Sequence, residues 1–260
     1  MCQPRAHGAA FASFSTSLPI HKSTHHTLLS QRNQIASCKR QCFSVPAVIF
    51  VTPPKITKDA ATNPSSVIRL IQHCASGGLS AIQLRDPLCE SIESFRLTQA
   101  LIDRALMEFP SPPYLLINGP GERTHFPERL IEELARQRQS KSEALLGCSV
   151  HSVQTAKRAI KAGASYLQVG TMFSTKSHPG KQLEGLQLMR NIRREVGESA
   201  LLIGVGGINL SNAEEVMKAG ADGIAVISAI SDADDVKQAT VDLVDYVKSS
   251  KSWKQNRKIL

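Results

Sequence analysis

The chain has 260 residues, of which 42% are apolar and 20% charged, a composition that excludes a disordered or fibrous protein. No stretch approaches the roughly 18 uncharged apolar residues of a membrane span. The formal net charge of +9 comes largely from residues 1–46, which hold five basic residues and no acidic one. The remainder has 26 basic and 22 acidic residues, and no basic cluster interleaved with aromatics supports nucleic-acid binding.

Residues 1–46 differ in composition from the rest of the chain, with seven Ser, three Thr and four His. A Ser-rich, Arg-bearing, acid-free leader is typical of organelle transit peptides. We therefore expect a disordered leader that directs the protein to the plastid, with the mitochondrion or the cytoplasm as alternatives. A plain disordered tail or a misplaced gene start would give the same composition.

From residue 48 onward, short apolar segments alternate with segments of helical periodicity. Near-continuous apolar runs are typical of parallel strands that are covered on both faces. In the predicted helix 211–219, Ser211 precedes two acidic residues and is the expected N-cap. The predicted strands are Val48–Thr52, Ala81–Arg85, Tyr114–Asn118, Leu145–Val150, Tyr166–Gly170, Leu201–Val205 and Gly223–Ile227. The predicted helices are Ser91–Phe109, Pro127–Arg138, Val153–Ala162, Leu183–Val196, Ser211–Ala219 and Asp234–Val247.

Strict alternation of strands and helices allows a (β/α)8 TIM barrel or a doubly wound open sheet. No G-x-G-x-x-G sequence follows the first strand, which disfavours a dinucleotide-binding sheet. Only seven strands are clear, and Thr124–Phe126 is a candidate stub of strand four. We predict an α/β TIM barrel over 47–250 with a shortened or degenerate fourth βα unit, followed by a tail at 251–260.

Glycine-rich and hydroxyl-bearing strand ends occur last in the repeat, at 204–208 and 225–230. Phosphate sites of (β/α)8 barrels form from the loops after strands seven and eight, where glycine lets backbone N–H groups approach the anion. These loops therefore predict a phosphate-binding site at Gly206, Gly207, Ile227 and Ser228.

Seven short motifs occur in the order found in one known family and together cover about 48–230. They are Phe50–Thr52, Gly78–Arg85, Leu115–Asn118, Gly147–Ser152, Gly163–Tyr166 with Val169–Gly170, Ile203–Ile208 and Gly220–Ser228. On these motifs the core resembles the family of thiamine phosphate synthase and the TenI thiazole tautomerases. The resemblance implies a barrel whose small-molecule partner is a thiazole phosphate, bound at the carboxyl ends of the strands.

The resemblance also implies roles for individual residues. His151 matches the catalytic histidine of TenI in its motif, although the synthases often carry a histidine there too. Histidine is suited to proton transfer near neutral pH. The substrate-binding candidates are Gln83, Arg85, Asn118, Ser149, Thr175 and Ser177.

Three positions depart from the pattern of the synthases. Pro87 stands where the family has a pyrophosphate-binding lysine, and Gly119 where it has a magnesium-binding aspartate. His178 stands at a phosphate-binding lysine, although Lys176 and Lys181 are near. These changes remove charges that stabilise a departing pyrophosphate.

We therefore expect a thiamine-biosynthesis enzyme of TenI type, which moves a proton on the thiazole phosphate without a metal or another cofactor. The alternative is a thiamine-phosphate synthase that requires Mg²⁺ and draws on relocated charges, for example Arg123, Lys176 or Lys181. A third possibility, of another class, is a non-catalytic protein that binds thiazole phosphate or thiamine phosphate. We expect no nucleic-acid or membrane partner, while a homo-oligomer is possible.

Overall fold

Eight parallel strands form a closed barrel in the computed structural model, which describes residues 43–118, 123–141, 143–175 and 185–259. Neighbours in the chain are neighbours in the sheet, and β8 pairs with β1 to close it. The predicted TIM barrel is confirmed. The strands are β1 (Ala47–Val51), β2 (Ala81–Leu84), β3 (Tyr114–Ile117), β4 (Arg123–Phe126), β5 (Leu145–Val150), β6 (Tyr166–Val169), β7 (Leu201–Val205) and β8 (Gly223–Val226).

Helices surround the barrel, and none in the described part of the chain is long and apolar enough to cross a membrane. A short 3₁₀ helix at Glu128–Leu130 precedes α4, and the predicted tail carries α10. The α-helices are α1 (Ile56–Thr62), α2 (Pro64–Ser76), α3 (Ile92–Leu106), α4 (Ile131–Ser140), α5 (Val153–Lys161), α6 (Gly185–Val196), α7 (Ala213–Lys218), α8 (Ser228–Ser231), α9 (Val236–Ser249) and α10 (Lys251–Ile259).

The predicted N-cap at Ser211 is wrong. Helix α7 begins at Ala213, with Asn212 as its N-cap residue. The Ser211 hydroxyl instead donates to Asn209 Oδ1 at 2.7 Å, and the Asn209 N–H donates to Asn212 Oδ1 at 2.9 Å. Such local side-chain hydrogen bonds compete with capping because Ser and Asn favour turns as readily as helix ends.

The shortened part of the barrel lies in the connection that leads into the fourth strand. β3 ends at Ile117 and β4 begins at Arg123. Among the described residues, β4 pairs with β5 over four residues and with β3 at one position, Ile117 and Thr124. The stub predicted at Thr124–Phe126 is thus a strand of four residues, followed by its own helix α4.

The barrel interior is filled from its amino-terminal end by two aromatic rings. Tyr166 is fully buried and its ring lies over Gly147, where a Cβ atom would be 2.0 Å from the ring. Phe43 is 3% exposed and packs edge-on against Tyr166, with ring centroids 5.4 Å apart. Because Phe43 precedes β1 and Tyr166 is the first residue of β6, this aromatic layer closes the amino-terminal end of the barrel, opposite the carboxyl ends of the strands.

Candidate active site

A cavity of about 530 Å³ opens at the carboxyl ends of the strands, where TIM-barrel enzymes place their active sites. Gln83 does not line it, and Ser177 lies outside the described residues. The structure brings together nine of the predicted site residues: Arg85, Asn118, Ser149, His151, Thr175, Gly206, Gly207, Ile227 and Ser228.

One wall of the cavity is the glycine loop that follows β7. Gly206 and Gly207 have φ angles of +101° and +64°, a region that L side chains rarely adopt. A Cβ atom on Gly207 would also lie 2.4 Å from the carbonyl oxygen of Ser174. Asn212 holds the loop by donating from Nδ2 to the Gly207 carbonyl at 3.0 Å. The loop therefore presents bare backbone to the cavity, beside Ser228 from the end of β8.

A cation from the end of β2 faces the same cavity. The guanidinium of Arg85 has no hydrogen-bond partner among the residues that the structure describes. Burial lowers the pKa of Arg85, and the charge of Asp86 opposes this effect. Arg85 is therefore partly desolvated and available to an anionic ligand.

The neighbouring carboxylate of Asp86 is already engaged. It accepts hydrogen bonds from the Thr57 hydroxyl at 2.7 Å and from the N–H groups of Thr57, Leu88 and Lys55. Although burial raises the pKa of this carboxyl, these hydrogen bonds bring it below its usual value. Asp86 thus organises the loop after β2 rather than neutralising Arg85 through a direct ion pair.

His151 follows β5 and lines the cavity. Its Nδ1–H donates to the carbonyl oxygen of Gly170 at 2.5 Å, because a carbonyl can only accept. In the neutral ring Nε2 then carries the lone pair. This hydrogen bond therefore fixes the tautomer of the neutral ring, in which Nε2 is the basic nitrogen.

A polar triad and a polar pair lie in the barrel interior beneath the cavity. His125 Nε2 is 2.8 Å from Ser149 Oγ, and His125 Nδ1 is 3.2 Å from the Tyr166 hydroxyl. Gln168 lines the cavity and donates from Nε2 to Gln83 Oε1 at 2.6 Å. Gln83 therefore lies one hydrogen bond below the cavity.

Comparisons with known proteins identify the family. A family model described as thiamine monophosphate synthase matches residues 123–230. The thiamine-phosphate synthase of Pyrococcus abyssi is 33% identical over 183 residues, which cover 68% of this chain and 86% of that protein. The corresponding protein of Roseiflexus sp. is 35% identical over 195 residues, covering 71% and 80%. The chain belongs to the thiamine phosphate synthase/TenI family.

A solved structure agrees with this membership. The thiamine phosphate pyrophosphorylase from Pyrococcus furiosus matches with a TM-score of 0.57 and 25% identity, covering 79% of this chain and 96% of that one. The resemblance found in the sequence motifs is thereby confirmed, and the chain is an enzyme of the thiamine phosphate synthase/TenI family.

The structure shows where the residues that bear on the synthase alternative lie relative to the cavity. Arg123 is the first residue of β4 and stacks 5.1 Å from the centroid of the Tyr114 ring, at the opposite end of the strands from the cavity. Arg129 and Glu128, in the 3₁₀ helix after β4, line the cavity together with Pro87. Gly119, Lys176, His178 and Lys181 lie outside the described residues.

Arg129 and Glu128 were not among the predicted site residues because the periodicity of Pro127–Arg138 is that of one continuous helix. Gln168 and the buried His125 were not among them either, although each carries a signal, a polar residue within an otherwise apolar strand. A polar side chain inside a barrel strand must find a partner there.

The synthase alternative requires magnesium, and the fit of this ion can be judged from the side chains that could bind it. No three His, Cys, Asp or Glu residues of the described chain gather as a metal site. Magnesium, however, binds through one or two carboxylates together with substrate phosphates. Asp86 is engaged, whereas Glu128 at the cavity supplies one carboxylate. The described residues therefore fit a magnesium ion only when it is shared with a phosphorylated substrate.

The buried His125 should make stability pH-dependent. Burial, with a further contribution from the charge of Arg85, lowers its pKa from 6.5 to about 3. Below pH 6.5 the unfolded chain takes up a proton that the folded chain binds only near pH 3, so stability is lost as the pH falls across this window. His125→Gln should reduce the loss between pH 7 and pH 4.5 by about 2 kcal/mol, measured by urea unfolding. Equal losses in both proteins would contradict it.

Proposed function

We propose that this enzyme is a thiamine-phosphate synthase, which transfers the hydroxymethylpyrimidine group from its pyrophosphate to thiazole phosphate. The observation that carries the proposal is the presence of two separate sets of anion-binding groups around one cavity. The loops after β7 and β8 offer backbone N–H groups, while Arg85 and Arg129 follow β2 and β4. Two phosphorylated substrates require two such sites, and the relatives described above carry the synthase name.

In this reaction the ring nitrogen of the thiazole uses its lone pair to form a bond with the pyrimidine methylene carbon. The bond from that carbon to oxygen breaks, and its electrons leave with pyrophosphate. Arg85 and Arg129 would stabilise the departing charge, while the Gly206–Gly207 loop and Ser228 hold the thiazole phosphate. Glu128 would hold a magnesium ion, which when bound supplies further positive charge to the pyrophosphate.

A tautomerase is the second candidate, favoured by Pro87 at the cavity and by the tautomer of His151. Its substrate would be a carboxythiazole phosphate. His151 Nε2 would remove a proton from one position of the heterocycle and return it at another, so that the ring becomes aromatic. This step needs no leaving group and no additional cation.

One pair of reactions distinguishes the two candidates. The full chain is incubated with thiazole phosphate, the pyrimidine pyrophosphate and Mg²⁺, and separately with carboxythiazole phosphate alone. Thiamine phosphate and pyrophosphate in the first reaction support the synthase. Metal-independent isomerisation in the second, abolished in His151→Ala, would instead support the tautomerase. Ligand binding with neither activity would leave the chain as a binding protein and refute both.

Arg129 provides a sharper test of the synthase proposal. Arg129→Gln should raise KM for the pyrimidine pyrophosphate roughly 10-fold and leave KM for thiazole phosphate unchanged, because one charge-assisted hydrogen bond is lost. Arg136→Gln is the matched control, since Arg136 pairs with Glu133 on the surface of α4 at 2.5 Å. A similar effect of both substitutions, or an effect on thiazole phosphate, would place Arg129 outside the pyrophosphate site.

The leader at 1–46 remains a proposal as a plastid transit peptide. Its support is composition alone, and import of the full chain into isolated chloroplasts and mitochondria tests it.

A further inference from the structure

Two hydrogen bonds through the ring of His125 link the barrel interior to the cavity. Ser149 lines the cavity, and its Oγ lies 2.8 Å from Nε2 of His125. On the other side, Nδ1 of the same ring lies 3.2 Å from the hydroxyl of Tyr166, whose side chain is fully buried. The imidazole therefore joins two hydroxyl groups, only one of which faces the cavity.

The ring of His125 carries a single proton over the working pH range. It is 1% exposed, and burial holds its pKa at about 3. The guanidinium of Arg85 disfavours the imidazolium further. A neutral imidazole donates from one nitrogen and accepts at the other. One of its two hydroxyl partners must therefore donate a hydrogen bond to the ring, and the other must accept one from it.

Two orientations satisfy these contacts. In the first, Tyr166 donates to Nδ1, Nε2–H donates to Ser149, and the Ser149 proton is directed into the cavity. In the second, Ser149 donates inward to Nε2 and offers only a lone pair to a ligand. The cavity contains Arg85 and glycine backbone, groups that select ligands rich in hydrogen-bond acceptors. Such ligands favour the first orientation, because two acceptors that face each other gain nothing.

We propose that His125 is a positioning residue, whose Nε2–H fixes Ser149 as a hydrogen-bond donor to the ligand in the cavity. The ligand's identity as a thiazole phosphate rests on the proposed function. His125 touches no reacting atom in this arrangement. His125 acts by orienting the Ser149 hydroxyl, and its effect is measured as a change in ligand affinity.

A pair of matched substitutions tests the direction of these hydrogen bonds. The amide nitrogen of Gln can replace Nε2 of histidine, whereas that of Asn lies nearer the position of Nδ1. His125→Gln should keep the affinity for thiazole phosphate within about 2-fold, and His125→Asn should weaken it roughly 3- to 10-fold, as Ser149→Ala should. The dissociation constant is measured by calorimetry with the full chain, and the melting temperature of each variant reports folding.

A double-mutant cycle separates positioning from a purely structural role. If His125 acts through Ser149, His125→Asn should cost no further affinity in the Ser149→Ala background. Additive losses, or equal losses in the Gln and Asn variants, would overturn the proposal.

A second measurement uses the unsubstituted chain without a ligand, so it does not depend on the folding of any variant. Nitrogen-15 chemical shifts of the histidine rings in the unsubstituted chain give the tautomer of His125, and Nε2–H is expected from pH 5 to 8. A proton on Nδ1 would overturn the proposal. Failure of thiazole phosphate to bind the unsubstituted chain, together with an Nε2–H tautomer, would refute the proposed function and leave the orientation of Ser149 standing.

Discussion

Arg85→Gln is expected to lower kcat/KM for thiamine phosphate formation about 100-fold, because an anion then faces the cavity wall without its cation. The guanidinium is partly desolvated and has no partner among the described residues, so its charge is not already neutralised by a direct ion pair. The loss should appear in steady-state kinetics with the pyrimidine pyrophosphate as the varied substrate. In the tautomerase the corresponding loss would be in the affinity for the carboxylated thiazole.

Arg85→Lys serves as the control for charge. A lysine keeps the positive charge but lacks the planar fork that binds phosphate through two parallel hydrogen bonds, so intermediate activity is expected. The melting temperature should change little in either variant, because Asp86 organises its loop through Thr57 and Leu88 rather than through the guanidinium. A loss of less than 3-fold in Arg85→Gln would place the anion elsewhere.

The second large effect is expected at the closed end of the barrel. Phe43→Ala should lower the free energy of unfolding by about 3 to 4 kcal/mol, because the substitution leaves a cavity against Tyr166. A chain that begins at residue 47 should lose at least as much stability. Urea denaturation of the three proteins measures both effects.

Met107→Ala is the matched control for the loss of an apolar side chain, since Met107 is 81% exposed. It should change the free energy of unfolding by less than about 0.5 kcal/mol. If Phe43→Ala behaved like this control, the aromatic layer would not contribute to stability. If it has the expected effect, any processing of the leader must leave Phe43 in the mature chain.

The barrel could be predicted from the sequence because its strands are short apolar runs in strict alternation with helices. The strand-end residues followed from the same pattern, since the carboxyl ends of parallel strands meet at one face. Arg85, Ser149 and His151 therefore come together in the cavity as the register requires. The fold and the family can be predicted from local patterns and from the order of the motifs, and the sequence contains both.

Other features depend on contacts that close only in three dimensions. Phe43 falls within a stretch whose composition indicates a leader, and nothing local shows that its ring enters the barrel. Arg129 belongs to a helical pattern, yet a 3₁₀ turn before α4 places it at the cavity. The partners of His125 come from β5 and β6, so its role could not be inferred before those strands were paired.

Among the described residues, β3 and β4 pair at one position, so this junction of the barrel can vary more than those with longer pairing. A change of length there disturbs few ladder hydrogen bonds, and the ends of a connection tolerate such changes at small entropic cost. Glu128 and Arg129 follow this loosely joined strand. Under the proposed function, a change of charge at Glu128 or Arg129 would alter the wall that faces the pyrophosphate and leave the glycine loops after β7 and β8 in place.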